Sequence, residues 1–499
     1  MHPSKPSPDR PSGPLYGPPS GPPPLPQPPD GTTTGGTHHR GVRKHDRGAR
    51  EHHRGARKHP RGAREHRRAA RDQHRSIREH RTPRRAALRI ASLIALIALL
   101  TLSGIAILTL VRRETGTEGF LVGFALAVFP VPILVTAFRW LDRVEPEPWR
   151  NLAFAFAWGA CAATLVAITA NGFATHWLST NIASVSPTDA ETWSSTVVAP
   201  VVEETAKAAA VLLLFVFRRR HIDGITDGIV IAGLTATGFA FTENVLYLGN
   251  AVGRDLSLGS LSPHSLAGLA DSLTAGTFFV RVIMSPFAHP LFTVLTGLSF
   301  GIAATRYPHH RALRLALPAL GLTTAILLHS IWNSASSLGS FGFLAVYGLF
   351  MVPVFAALSC LAVWSRRQEL LSLRTYLPPY AAAGWLTPTD PLTLSSLRTR
   401  ALARSIARRT HGPAAARAVT EYAALATSLA FLRRRAHRTG PTPDFHTRER
   451  TLLHHLWQTK PLAHPALTHA HRTRRQAPCS PSTQAYVASD ESRTPDGNR

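Results

Sequence analysis

Three charged residues interrupt a stretch that is otherwise fit to cross a membrane. They are Glu203, Glu204 and Lys207, in Ala199-Pro200-Val201-Val202-Glu203-Glu204-Thr205-Ala206-Lys207, inside an apolar run from Trp193 to Phe217. A run of about 25 residues is long enough for a helix to cross the ~30 Å hydrocarbon core. Each ionised side chain near its middle costs roughly 2.5–3.5 kcal/mol on insertion scales. A plain anchor gains nothing from carrying them, so the remaining sequence is read for what makes them tolerable there.

Hydropathy gives eight candidate spans, roughly 90–111, 118–138, 151–178, 193–217, 224–249, 275–305, 314–335 and 341–364. Alternate loops differ in charge. Loops 139–150, 218–223 and 306–314 carry Arg139, Arg143, Arg150, Arg218, Arg219, Arg220, Arg306, Arg311 and Arg314, while 179–192 and 336–340 have no Lys or Arg and 250–274 has only Arg254. Arg112 and Arg113, in the first loop, are the one exception. The excess of Lys and Arg marks the cytoplasmic side. The expected fold is therefore all-α, a polytopic membrane protein of about eight transmembrane helices over 84–366 with both termini cytoplasmic. Its expected location is the cell membrane.

The ends are basic, and they hold most of the formal net charge of +27. Residues 1–37, rich in Pro, Gly and Ser, are expected to be disordered. Over 38–83 a seven-residue unit of the type Arg47-Gly48-Ala49-Arg50-Glu51-His52-His53 repeats six times from Arg40. Its period matches a coiled coil, but it lacks the apolar a and d positions that make a seam. Beside membrane spans, the cheapest partner for such a tail is the anionic lipid of the inner leaflet. Nucleic acid is disfavoured as a partner, because stacking aromatics and a reader fold are absent. A small cytosolic helical region is expected over 367–463, where Thr389-Asp390-Pro391 offers a helix start and Leu425, Leu429 and Leu432 show helical spacing. Residues 464–499 are expected to be a disordered tail. Cys161, Cys360 and Cys479 form neither a disulfide framework nor a zinc-type spacing. No secretory leader is expected, because the 89 residues before Ile90 are polar.

Four successive spans carry polar groups that anchors avoid. Beside Glu203, Glu204 and Lys207 stand Phe239-Ala240-Phe241-Thr242-Glu243-Asn244, then Arg281 with Ser285-Pro286-Phe287-Ala288-His289-Pro290, then His329-Ser330-Ile331-Trp332-Asn333. At 1.5 Å per residue, Glu203 lies ~15 Å, Glu243 and His329 ~10 Å, and His289 ~20 Å from the outer ends of their spans. Antiparallel neighbours would bring all four between the midplane and the outer leaflet. Each feature has a plainer reading: Glu203 pairs with Lys207 at i,i+4, Glu243 neutralises Arg281, the prolines around His289 make a kink, and His329 and Asn333 bond between helices. A shared polar cavity accounts for all of them together, and intramembrane ionisable residues mark function by default. Asn171 and His176 in the third span are the nearest further case.

A carboxylate in a low-dielectric cavity can take a proton from water. Imidazoles and an amide beside it can hold a metal or bond an oxyanion. This set suits hydrolysis of an amide bond. A His-Glu-x-x-His pair, Gly-x-Ser-Gly, Gly-x-Gly-Asp and a P-loop are all absent from the sequence.

The motifs Glu203-Glu204-Thr205-Ala206-Lys207 (EExxK), Phe239 to Asn244 (FxxxEN), His289, and His329-xxx-Asn333, in that order, resemble the PrsW family of bacterial intramembrane proteases, distant relatives of the CAAX prenyl-protein processing enzymes. Leu141-Asp142-Arg143-Val144-Glu145-Pro146-Glu147-Pro148-Trp149 is similar to the cytosolic loop before those motifs, and the resemblance covers roughly 130–365. It implies cleavage of a membrane-anchored protein within or beside the bilayer, in studied members an anti-sigma factor, and hence a role in signalling. It also assigns roles. Glu203 is the general base, with Glu204 its second carboxylate and a possible substitute for it. His289 and His329 hold the water, an ion or the oxyanion, and Asn333 stabilises the oxyanion. Glu243, with Asn244 beside it, is a supporting or ligand carboxylate, and Lys207 keeps one carboxylate ionised. Glu203, His289 and His329 are the ligand set for a Zn²⁺ ion, and a metal-free mechanism suits the same residues; the sequence leaves both open.

Two other classes compete. A proton- or ion-coupled transporter would use buried Glu and His as a relay, but transporters show matched halves, and here the charged spans lie in the second half alone. A catalytically inactive membrane scaffold would keep its function after loss of His289 and His329.

Overall fold

The computed structural model describes residues 83–182, 186–217, 224–258 and 272–476. The segments expected at 1–37 and, but for Pro83, at 38–83 lie outside the described residues, as do Arg218, Arg219 and Arg220. The described chain is helical throughout. Its elements are α1 (Pro83–Val128), α2 (Pro130–Leu141), α3 (Trp149–Ala157), α4 (Thr164–Asn181), α5 (Pro187–Trp193), α6 (Ala199–Phe217), α7 (Ile225–Ser257), α8 (Leu273–Phe278), α9 (Ala288–Arg306), α10 (Arg311–Ala335), α11 (Gly339–Val346), α12 (Val352–Tyr376), α13 (Leu397–Thr439) and α14 (Phe445–Gln476). Five helical stretches among them are long and apolar enough to cross a membrane, Ile90–Leu141, Trp149–Asn181, Ile225–Ser257, Leu273–Arg306 and Arg311–Ala382. This is an integral membrane protein. Leu93, Leu102, Phe173, Leu315, Phe341 and Leu349 turn outward over these stretches, where lipid rather than water covers an apolar side chain at no cost.

The first stretch is broken: Gly116 has φ 71° and ψ 171°, outside helical space, so α1 is two helices joined at a kink. Both pack against α7, since Ile107 and Val111 before the kink and Ala127 after it share one apolar cluster with Val245 and Leu248. The contact is close: a Cβ placed on Gly249 of α7 would meet Thr115, and one on Gly123 would meet Gly249 and the Val245 carbonyl.

Helix α7 is the axis of the bundle: 83% of its most apolar window is buried, and no other stretch exceeds 50%. It packs against α1, α2, α3, α6, α8 and α9. Helix α9 comes closest, because a Cβ on Gly228 would fall on the Gly297 carbonyl and one on Gly297 would fall on that of Gly228. Two helices without side chains at the crossing can bring their backbones into contact, the usual device where helices pack in lipid. That contact fixes the register of His289 on α9 against Glu243 on α7.

Four π-helical turns occur among the described residues, Trp158–Ala163 just before α4, Ser194–Val198 just before α6, Phe279–Met284 just after α8 and Tyr347–Met351 between α11 and α12. Such bulges re-aim the following turn and are frequent at functional sites.

Helices α12 to α14, with the short helices Pro378–Ala382 and Asp390–Leu394 between α12 and α13, build a second core around Leu373, Tyr380, Leu394, Tyr422, Leu429 and Leu456, and Val144 from the 142–148 loop is buried in it. Helix α14 runs through Pro461 and Pro465 to Gln476, past residue 463 where the helical region was expected to end. This core holds the loop in place: Arg400 Nη1 donates to the Val144 carbonyl (3.3 Å) and Ser428 Oγ to Glu145 Oε1 (2.8 Å). Inside the loop, the Glu147 amide donates to Asp142 Oδ2 (3.0 Å), Arg139 pairs with Asp142 (2.5 Å), and Asn151 Nδ2 donates to Glu147 Oε2 (2.8 Å).

Burial, together with the neighbouring Asp227, pushes the Glu147 carboxyl up to about 8 from an ordinary value of 4.5. Between those values the folded chain holds a proton that the unfolded chain releases. Its contribution is therefore complete below pH 4.5 and is lost as pH rises through about 8. The melting temperature in detergent is expected to be higher at pH 6 than at pH 8.5. Glu147→Gln, which mimics the protonated group and keeps an acceptor for Asn151, should stabilise the protein at pH 8.5 by a few kcal/mol and flatten the dependence. An equally steep pH dependence in the variant would remove Glu147 as its cause.

Candidate functional site

Glu203, Glu204 and Lys207 lie on the second and third turns of α6 and are all buried. The Lys207 ammonium has three donors, and three acceptors meet it: Glu204 Oε1 at 2.9 Å, Glu203 Oε2 at 3.3 Å and His289 Nδ1 at 3.1 Å. Its remaining side rests 3.8 Å from the centre of the Phe239 ring, an attraction that strengthens where water is excluded. Glu204 has no exposed surface, and its other oxygen, Oε2, accepts from Thr293 Oγ1 at 2.8 Å. The cost of burying these charges is offset by complete pairing.

The two histidines sit edge to face, with ring centres 5.2 Å apart. Each has one nitrogen tied to a carboxylate: His289 Nε2 meets Glu243 Oε2 at 2.5 Å, and His329 Nδ1 meets Glu204 Oε1 at 3.2 Å. Because an ammonium only donates, His289 Nδ1 is the acceptor and its Nε2 carries the proton given to Glu243; this assignment follows from hydrogen-bond roles. On the same logic His329 donates from Nδ1, and its Nε2, 3.8 Å from Glu203 Oε2, is left as an acceptor. Glu243 also pairs with Arg281 Nη2 at 2.8 Å, and Arg281 Nε donates to Asn244 Oδ1 at 2.8 Å.

One nitrogen of His289, one of His329 and one oxygen of Glu203 lie within 4.8 Å of one another. Two imidazoles and a carboxylate, with a carboxylate behind each imidazole, are the donor set and support that a catalytic Zn²⁺ site requires. The residues fit such an ion in type and spacing. Lys207 shares two of them, so metal loading requires the ammonium to release Glu203 and His289.

Beside the cluster lies a cavity of ≈ 530 Å³ whose walls include Glu203, Glu243, His289, Asn171 and Asn333. It extends toward the 179–192 end of the bundle, where Glu191 and Ser194 line it. A carboxylate, a neutral imidazole nitrogen and a water-sized space are what activation of a water needs.

Helices α6, α7, α9 and α10 thus bring Glu203, Glu204, Lys207, Glu243, His289 and His329 into direct contact. Asn244 is one step removed, through Arg281. Asn333, expected at the oxyanion, lines the cavity but donates from Nδ2 to the Ser195 carbonyl (2.8 Å) in the π-turn. The Glu203–Lys207 and Glu243–Arg281 pairs weighed as plainer readings both occur, as parts of one network. Thr293 was missed; its only signal is its place one turn after His289 on the same face of α9.

Residues 147–358 match the family model of the PrsW family intramembrane metalloprotease. No curated protein and no solved structure matches the chain.

Proposed function

From the match of residues 147–358 to the PrsW family model and from the buried cluster, we propose how this chain works as a membrane protease. Glu203 takes a proton from a water in the cavity, and His329 Nε2 orients that water. The oxygen attacks the substrate carbonyl carbon, and the C–N bond breaks as Glu203 returns the proton to the departing amine. Lys207 stays charged, balances Glu203 and Glu204, and holds His289 in one tautomer. Glu243 and Arg281 fix the other edge of His289. Asn333, once it leaves the Ser195 carbonyl, turns its amide to the oxyanion. Glu203, His289 and His329 are the residues that would hold a Zn²⁺, and the chemistry it supplies is Lewis-acid polarisation of the carbonyl.

The proposed substrate is a membrane-anchored protein, an anti-sigma factor being the example from the family. The proposed setting is the cell membrane, crossed eight times with both termini in the cytoplasm, with the basic heptad repeat on anionic lipid. The single observation that carries the reading is the convergence of four helices' costly side chains on one cavity. Its test is co-expression of the chain with single-span membrane proteins, followed by mass mapping of the products. A new terminus within or beside the membrane, on the side of residues 179–192, is the expected result. Products cut only on the opposite side, or none at all, would overturn it.

A further inference from the structure

Asp255 belongs to none of the motifs and does not line the cavity, yet it is wholly buried. It stands on the last turn of α7, ~18 Å beyond Glu243 at 1.5 Å per residue. Its oxygens hold the start of α8. Oδ1 accepts from the Leu273 amide (3.0 Å), and Oδ2 from the Thr274 amide (2.9 Å) and from Ser272 Oγ (2.8 Å). Ser272 Oγ in turn accepts from the Ala275 amide (3.2 Å). The first turn of a helix has donors with no partner inside that helix. Here a side chain of another helix takes two of them and holds the residue that takes a third.

Helix α8 spans only Leu273–Phe278, too short to be stable alone, so its place is set by what it is tied to. At the far end of the strap, Tyr347 Oη donates to the Met284 carbonyl (2.8 Å) and Ser285 Oγ to that of Val280 (2.7 Å). Between these anchors stands Arg281, in the π-turn Phe279–Met284. Leu273 to Arg281 and Asp255 to Tyr247 are both ~12 Å along a helix, and the Arg281 guanidinium lies 3.9 Å from the centre of the Tyr247 ring. The strap therefore runs back along α7 in a register that Asp255 starts. In that register Arg281 reaches Glu243 with Nη2 and Asn244 with Nε, each at 2.8 Å, and Glu243 holds His289.

Resting on the protease reading above, we infer that Asp255 is a positioning residue of the site: by fixing the start of α8 it sets where Arg281 stands, and through Arg281 the orientation of Glu243 and His289. It touches neither the substrate nor the reacting atoms. Its effect is on rate, because a misplacement of ~1 Å passed on to a catalytic group from far away can cost ~10²-fold.

The test is a double-mutant cycle on the full chain in detergent, with a single-span protein that it cleaves and rates normalised to folded enzyme. Asp255→Ala should lower kcat about tenfold, the low end of the range for losing a partner that orients a functional group, and leave KM within about twofold. Asp255→Asn, which keeps one acceptor oxygen, should lower kcat about fourfold, within the range for one hydrogen bond, and serves for the cycle where the alanine variant does not accumulate. In Arg281→Met protein, already slowed, either change should alter kcat by less than about twofold, because the group through which Asp255 acts is gone. A merely structural role predicts the same loss in both backgrounds. Such additivity, or an unchanged kcat in both Asp255 variants, overturns the inference while the protease reading stands. Absence of cleavage by the unaltered chain removes the protease reading, and the inference with it.

Discussion

Glu203→Gln is expected to lower the cleavage rate at least ~10³-fold, within the 10²–10⁴ range for loss of a positioned general base, while the protein still inserts and accumulates. Glutamine keeps the volume and an acceptor oxygen for Lys207, which now holds Glu203 Oε2 at 3.3 Å, so packing is undisturbed. What is lost is the carboxylate that lines the cavity and can take a proton. Glu204 cannot substitute from where it stands: both its oxygens are committed, Oε1 to Lys207 and His329 and Oε2 to Thr293, and it has no exposed surface. Glu204→Gln should therefore act mainly through stability and His329 orientation. Quantitative immunoblotting of substrate and product, normalised to enzyme in the membrane, separates the two variants.

Lys207→Met carries the second large effect, and it falls on folding as much as on rate. The side chain is fully buried, and its ammonium is the only cation shared by Glu203 and Glu204 among the described residues. Removing one partner of a buried charge cluster typically costs 3–5 kcal/mol, because the remaining charges stay desolvated and unpaired. Methionine fills most of the space over Phe239 and supplies no donor. A fall in melting temperature in detergent of several degrees, with cleavage reduced to background, is the expected outcome. Lys207→Arg should not restore activity, since a planar five-donor fork does not fit three acceptors arranged around one point. A Lys207→Met protein as stable as the unaltered one would show that Glu203 and Glu204 are not both charged in the folded chain.

The site was legible in the sequence because lipid raises the cost of polarity. Glu203, Glu243, His289 and His329 stood out from their surroundings, and helical rise alone placed them at one depth. Which atom meets which was not legible. Glu243 takes His289 and Arg281 together, and Asn333 takes the Ser195 carbonyl, because the π-turns at Ser194–Val198 and Phe279–Met284 re-aim the chain by local geometry that no residue pattern announces. Thr293 was invisible for a simpler reason: a threonine in a membrane helix bonds its own backbone without cost, as it does here to the His289 carbonyl at 3.1 Å, so its presence signals nothing. Hydropathy likewise found the apolar stretches and the break near Gly116. It could not show that the 142–148 loop is gripped by helices that begin some 250 residues later, since that contact depends on the packing of Val144 into a distant core.

The central claim is that one water, activated at Glu203, cleaves a peptide bond. Purified protein in liposomes, mixed with a cleaved single-span substrate in ¹⁸O-enriched water, tests it most directly by mass spectrometry of the new carboxyl terminus. The account predicts one ¹⁸O atom in the product from the unaltered chain and no product from Glu203→Gln. Equal product from both proteins would contradict it.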